Sequence, residues 1–307
     1  MSCDIVVTGF FLFIYYRRYL GATQFENFGA RMTFPCYDEP ALKAIFNLKM
    51  THDATYNTIS NTIGTRVENG DETVTTSFEP SPIMSSYLLA FVVSDFEYST
   101  MTDVDARLHR IYTHGDSVKR TNYALANSPK LLKALEDYVS IGYELPKAFH
   151  AAIPDFGAGA MENWGLITYK EQYLIVDSTS HHREVLDSVR VMAHELGHMF
   201  FGNLVTCDWW NYIWLNEGFA TLFEYQLTDA VYPTMRMRDY FNLKMAMIAF
   251  EVDALPTTTP MTTVDSQDTS SNSIIIYNKA GSVLRMFQYT VGHEIFKATL
   301  NEYLTTK

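Results

Sequence analysis

The sequence predicts an α+β protein: a β-rich N-terminal region followed by a mostly helical one from about residue 120. Three observations carry this. Asn69-Gly70 is a hairpin signal, and the run after it, residues 73–78, alternates with the period of a half-buried strand. Beyond residue 120 the apolar residues recur at helical spacing, as in Leu131, Leu132, Leu135, Tyr138 and Val139. A stretch rich in Thr, Ser, Pro and Asp, residues 255–273, reads as a loop between helices.

Taken in order, residues 5–16 are mostly apolar and are followed by Arg17 and Arg18. The stretch is shorter than the roughly 20 residues of a spanning helix. It also lacks the basic leading region and small-residue cleavage site of a signal peptide. It reads as a buried strand, or as sequence foreign to the mature protein. Residues 86–98 form a second strand candidate. Ser128 as N-cap and Pro129 at the first helical position open a helix that Gly142 stops. Residues 166–176 read as a strand. A second helix runs over 183–201 on the stripe Val185, Val189, Met192, Leu196 and Phe200, with Gly202 just past its end. A third spans 216–231, before Pro233, and another starts at Ser282.

Composition supports a packed core, since 47% of the 307 residues are hydrophobic and 14% aromatic. That length suits one large domain or two ordinary ones. The net charge of −12 argues against nucleic acid and acidic lipid as partners and suits cationic ligands such as peptide amino termini. Cys3, Cys36 and Cys207 are too few and too scattered for a disulfide framework. The sequence contains no Asn-x-Ser/Thr acceptor.

The chemistry gathers at His194-Glu195-Leu196-Gly197-His198. On a helix the two histidines sit one turn apart on one face, where two neutral imidazoles can grip one Zn²⁺. Glu195 lies about 100° round the helix and can act on a metal-held water without being a ligand, which suits a general base. A catalytic zinc wants a third protein ligand and one open position. Glu217, in Asn216-Glu217-Gly218 at the start of the next helix, can supply it, and Glu224 on the same face can steady a ligating histidine. Gly157-Ala158-Gly159-Ala160-Met161-Glu162-Asn163-Trp164 presents a carboxylate among small residues that let backbone approach a ligand closely.

Gly159 to Asn163 (GAMEN), together with His194 to His198 and Glu217, resembles the paired signature of the gluzincin zinc aminopeptidases, the family of aminopeptidase N. Thr23-Gln24-Phe25-Glu26, Phe34-Pro35-Cys36-Tyr37-Asp38-Glu39-Pro40, Gly202-Asn203-Leu204-Val205-Thr206 and Trp214-Leu215-Asn216-Glu217-Gly218-Phe219-Ala220 resemble it too. The resemblance implies a partial N-terminal β domain over residues 1–98 and a thermolysin-like catalytic domain over 99–307. It implies one Zn²⁺ per chain held by His194, His198 and Glu217, with Glu195 activating water. Tyr277 would donate a hydrogen bond to the tetrahedral intermediate, and Glu26 and Glu162 would bind the substrate's α-ammonium. Gln24, Gly159, Ala160, Met161 and Asn163 would complete the substrate site.

The expected substrates are peptides with a free N-terminus. The expected setting is the extracellular face of the plasma membrane, with a cytoplasmic location as the alternative. Membrane association would run through parts absent from this chain, and a homodimer is one expected assembly. The chain also reads as a fragment of its family's full length, with a longer β domain before it and further helices after it. Two rival readings are a leukotriene-A4-hydrolase-like bifunctional enzyme and a catalytically silent binding or receptor protein on the same fold.

Overall fold

The computed structural model describes residues 10–15, 18–70, 72–262 and 273–306, with side chains from residue 19 onward. Two compact units emerge. One comprises Met1–Ala126 and Leu145–Ser180, the other Asn127–Glu144 and His181–Lys307. These cuts fall elsewhere than the 98/99 division.

The first unit is built on three sheets. Strands β1 (Phe10–Tyr15), β2 (Arg18–Thr23), β3 (Lys49–Asp53), β4 (Asn57–Ser60), β5 (Gly64–Glu68), β6 (Thr73–Phe78) and β7 (Phe91–Ser94) form two antiparallel sheets, ordered β1-β2-β7-β4 and β3-β6-β5. The Asn69-Gly70 hairpin is present. β5 and β6 pair with Glu68 opposite Val74, and Gly70 takes φ +83°. Along β6, Val74, Thr76 and Phe78 are buried, the alternation expected of a sheet with one covered face. β1 falls within the apolar stretch 5–16, whose residues 5–9 and 16 lie outside the described residues, as does Cys3.

Strands β8 (Glu97–Thr102), β9 (Leu108–Thr113), β10 (Lys147–Ile153), β11 (Ala160–Met161) and β12 (Leu166–Lys170) form a mixed sheet in the order β11-β12-β10-β9-β8. β9, β10 and β12 are parallel, and every residue of β10 is buried. Burial on both faces is expected of a strand inside a parallel set, and here it takes in Lys147 and His150 as well as the apolar residues.

Two strand expectations need correction. Residues 86–98 are a short turn over Ser86–Leu88 followed by two separate strands. The break comes where the Asn61 side chain takes the Leu88 carbonyl (2.7 Å) and the Ala90 N–H (2.9 Å) out of any ladder. The strand expected over 166–176 ends at Lys170, where a 3₁₀ turn over Glu171–Tyr173 begins.

β10 also carries a buried histidine with a measurable consequence. Burial, aided by His109 and Lys147, pushes the His150 pKa down to about 3. An unfolded histidine titrates near 6.5, so below that pH the unfolded chain gains a proton that the folded chain refuses. Stability therefore falls as acid is added, between about pH 6.5 and about pH 3. At pH 5 the loss relative to neutral pH is about 2 kcal/mol. Urea unfolding at pH 7.5 and pH 5 should show this loss shrinking in His150→Gln; equal acid sensitivity in the two proteins would contradict it.

The second unit is helical. α1 (Asn122–Val139) contributes its residues from Asn127 onward, followed by α2 (His182–His198), α3 (Ile213–Val231), α4 (Met237–Phe241), α5 (Met247–Asp253), α6 (Ala280–Val291) and α7 (His293–Thr306). α1 starts earlier than Ser128 and Pro129 predict, so that proline lies inside the helix. A 3₁₀ stretch over Gly115–Thr121 leads into α1, and Ala124 and Leu125 are buried; that packing outweighs the one backbone bond the proline forgoes. The helix expected from Ser282 is two helices broken at Gly292, which takes φ +91°. α4 and α5 were not anticipated. They flank a π-helical turn, Asn242–Ala246, and bury only Met237, Phe241 and Ala249, too thin a stripe to read. Part of the 255–273 loop, residues 263–272, lies outside the described residues.

Glycines let three helices meet at backbone distance. A Cβ on Gly197 of α2 would sit 3.3 Å from Ala220 Cα of α3. On Gly218 of α3 it would sit 2.8 Å from Ala280 Cβ, and on Gly281 of α6 2.9 Å from the Thr221 side chain. This contact fixes how α6, and the π-helical turn Ile274–Lys279 before it, lie against α3. No described helix is long and apolar enough to cross a membrane.

Candidate active site

α2 puts His194 and His198 one turn apart, and the early turns of α3 return Glu217 to them. The His194 and His198 Nε2 atoms are 3.1 Å apart, and each lies 3.2 Å from Glu217 Oε2. A tetrahedral shell with metal–ligand bonds of about 2.0–2.1 Å has edges of about 3.3–3.4 Å. The three donors thus form one face of a shell that fits a small divalent ion. Among the described residues they are also the group of His, Cys, Asp and Glu side chains close enough to share one.

The far side of each imidazole is tied down. His194 Nδ1 lies 3.0 Å from Glu224 Oε2, and His198 Nδ1 lies 2.9 Å from the Phe201 carbonyl oxygen. With Nδ1–H donating in both, both Nε2 lone pairs point at the common centre. The helix expected to reach Phe201 stops at His198, and this earlier end lets the Phe201 carbonyl turn back to the ring. Glu224 is held in turn by the Arg190 guanidinium, which also reaches Asp187 Oδ1 at 3.3 Å.

Arg190 and the Phe201 carbonyl escaped sequence reading. Arg190 stands four residues before His194 on the same helix face, and that spacing was the available signal. A backbone carbonyl leaves none.

The electrostatics call for a cation. Burial lowers the His194 pKa, but hydrogen bonds to Glu217 and Glu224 outweigh it and push it up to about 9. Burial works to raise Glu217, yet the His198 and His194 rings hold its carboxyl well below the usual carboxylate range. Arg190 and His194 do the same for Glu224 against its burial. Two buried carboxylates face the imidazoles and favour a proton on His194, which a metal ion binding there would displace.

Glu195 lies on α2 beside this set, only 5% exposed. The Tyr277 ring stacks on His194, with centroids 5.9 Å apart at 20°. It projects from the π-helical turn, a local geometry frequent at functional sites. This unit therefore brings together His194, Glu195, His198, Glu217, Glu224 and Tyr277.

The first unit brings together others. Gln24, directly after β2, donates from Nε2 to Met161 Sδ at 3.2 Å. Ala160 and Met161 form β11, and the Gly159 carbonyl accepts from Lys170 N–H at 2.7 Å. Glu162 and Asn163 follow, both buried, and Asn163 Nδ2 donates to Thr168 Oγ1 at 3.2 Å. Glu26 is half-buried just after Phe25, which anchors the segment at 0% exposure.

Residues 123–307 match the Peptidase family M1 domain, and residues 8–88 match the Peptidase M1 N-terminal domain. The chain belongs to peptidase family M1. Relatives of this M1 chain include endoplasmic reticulum aminopeptidase 1 of Mus musculus, 40% identical over 293 residues, covering 94% of this chain and 31% of the relative. Aminopeptidase N of Homo sapiens is 38% identical over 305 residues, with 94% and 31% covered. The thyrotropin-releasing hormone-degrading ectoenzyme of Rattus norvegicus is 37% identical over 297 residues, with 94% and 28% covered. The M1 chain thus spans about a third of the length of the curated relatives it matches.

Proposed function

We propose that this M1 chain is the catalytic portion of a zinc metallo-aminopeptidase that removes residues one at a time from the amino end of peptides. The observation that carries this reading is the triangle of His194, His198 and Glu217 donors, 3.1–3.2 Å on each edge, with both Nδ1 atoms anchored behind it. These three residues hold one Zn²⁺ per chain, and Glu224 steadies His194. When bound, zinc supplies a Lewis acid and lowers the pKa of a coordinated water to about 7.

Glu195 accepts a proton from the attacking water and passes it to the leaving amine. The Tyr277 hydroxyl donates a hydrogen bond to the oxygen that becomes negative, a contribution of about 3 kcal/mol. Glu26 and Glu162 receive the substrate's α-ammonium, while Gln24, Gly159, Ala160, Met161 and Asn163 line the place of its first residue. An internal peptide brings no cation to be received there, so the free amino end is favoured. Retention of every one of these groups argues against a silent receptor on the same fold.

The peptidase domain is taken to open near residue 99, after the N-terminal β domain. A place on the extracellular face of the plasma membrane is supported by the ectoenzyme among its relatives. A homodimer is the assembly to test.

Hydrolysis of aminoacyl-anilides with free and with acetylated amines tests the reading. Wild type should prefer the free amine by about a hundredfold or more. Glu162→Ala should lose most of that preference. Equal cleavage of acetylated substrates by wild type would refute the exopeptidase assignment.

A further inference from the structure

Immediately behind Glu162 and Asn163 the chain makes a tight turn within the first unit. Leu166 N–H donates to the Asn163 carbonyl at 3.0 Å, and Gly165 takes φ +86°, the geometry of a type II turn with glycine at its third position. A Cβ on Gly165 would lie 2.3 Å from the Asn61 carbonyl oxygen, so the turn presses directly on the loop that follows β4.

Two buried side chains grip this turn. Asn61, 2% exposed, donates from Nδ2 to the Trp164 carbonyl at 2.9 Å and to the Leu88 carbonyl at 2.7 Å. Its Oδ1 accepts from Ala90 N–H at 2.9 Å. Lys147, 0% exposed at the start of β10, donates from Nζ to the Gly165 carbonyl at 2.8 Å and to the Ser60 carbonyl at 2.6 Å. The Phe149 N–H shares the Gly165 carbonyl at 3.0 Å, and the Phe149 ring lies 4.2 Å from Nζ.

Burial, with Arg110 nearby, lowers the Lys147 pKa well below the usual lysine range. The amine directs N–H groups at two carbonyls, those of Ser60 and Gly165. Burying a lysine amine is costly unless its N–H groups are hydrogen-bonded, and here the two carbonyls offset that cost.

We infer that Lys147 and Asn61 are positioning residues for the Glu162 carboxylate, clamping the turn at Trp164 and Gly165 so that the segment just before it stays in one place. This rests on the proposed role of Glu162 in receiving the α-ammonium. The clamp acts through backbone carbonyls and touches no substrate atom.

The test is calorimetric binding of two hydroxamates to the zinc-loaded protein, an α-amino hydroxamate and its analogue lacking the amine. Their affinity ratio reads the ammonium site alone, because a general loss of stability weakens both ligands alike. Lys147→Met should reduce the ratio by about tenfold, given how steeply misplacement of a binding group is felt. Asn61→Ser, which frees the Trp164 carbonyl and leaves Lys147 in place, should reduce it in the same direction.

A ratio unchanged in either folded variant overturns the inference. Failure of both variants to fold also overturns it, by making the pair purely architectural. Glu162→Gln in the same assay separates the two readings. If it leaves the ratio intact, the proposed role of Glu162 fails. If it collapses the ratio while Lys147→Met does not, only the positioning role fails.

Discussion

His198→Ala is expected to strip the protein of its metal and of its turnover together. The substitution leaves two donors where three converge within 4.8 Å, and it opens a hole at a position 1% exposed. Two ligands cannot complete a tetrahedral site with one open position. The partner behind His194 provides a graded comparison. Glu224→Gln keeps all three ligands but weakens the acceptor on His194 Nδ1 and leaves Arg190 facing a neutral amide, so zinc affinity should fall by about 10–100-fold. Equilibrium dialysis at buffered free zinc measures both. Stoichiometric zinc retained by His198→Ala would show that the ligand set is drawn wrongly.

The second large effect separates chemistry from binding. Glu195→Gln should keep zinc at the wild-type level while turnover falls by about 10²–10⁴-fold, the usual range for removing a positioned general base. Glutamine has nearly the same shape and suits the same 5% exposed position on α2, so the fold has no reason to change. It cannot take up a proton. Zinc content and kcat/KM on the same preparation decide the matter, and near-wild-type turnover would place the base elsewhere.

The grouping of His194, His198 and Glu217 was legible because an i, i+4 pair on a helix has only one face to occupy, and Glu217 lies in the second turn of the next helix. The Asn69-Gly70 hairpin was legible for a similar reason, since its chemistry is local to the turn. What stayed hidden depends on contacts distant in sequence. Asn61 breaking the 86–98 run acts across 27 residues, from Asn61 Nδ2 to the Leu88 carbonyl. Arg190 reaches Glu224 across a helix pair. Tyr277 reads as an ordinary core aromatic by pattern alone, and only family resemblance singled it out; the fold then sets its ring against His194. The buried Lys147 gave no signal, because its partners are backbone carbonyls.

The glycine contacts between α3 and α6 have a practical side. Exchanging helical glycines for alanine commonly stabilises a protein by about 0.4–1 kcal/mol by stiffening the unfolded chain. At Gly218 and Gly281 an added methyl meets neighbours at 2.8 and 2.9 Å, so that recipe for thermostability should backfire. Glu217 is adjacent to the first of these, and the turn bearing Tyr277 feeds directly into the helix carrying the second. Anyone hardening this scaffold for industrial use should leave that seam untouched and work on helix ends and loops instead.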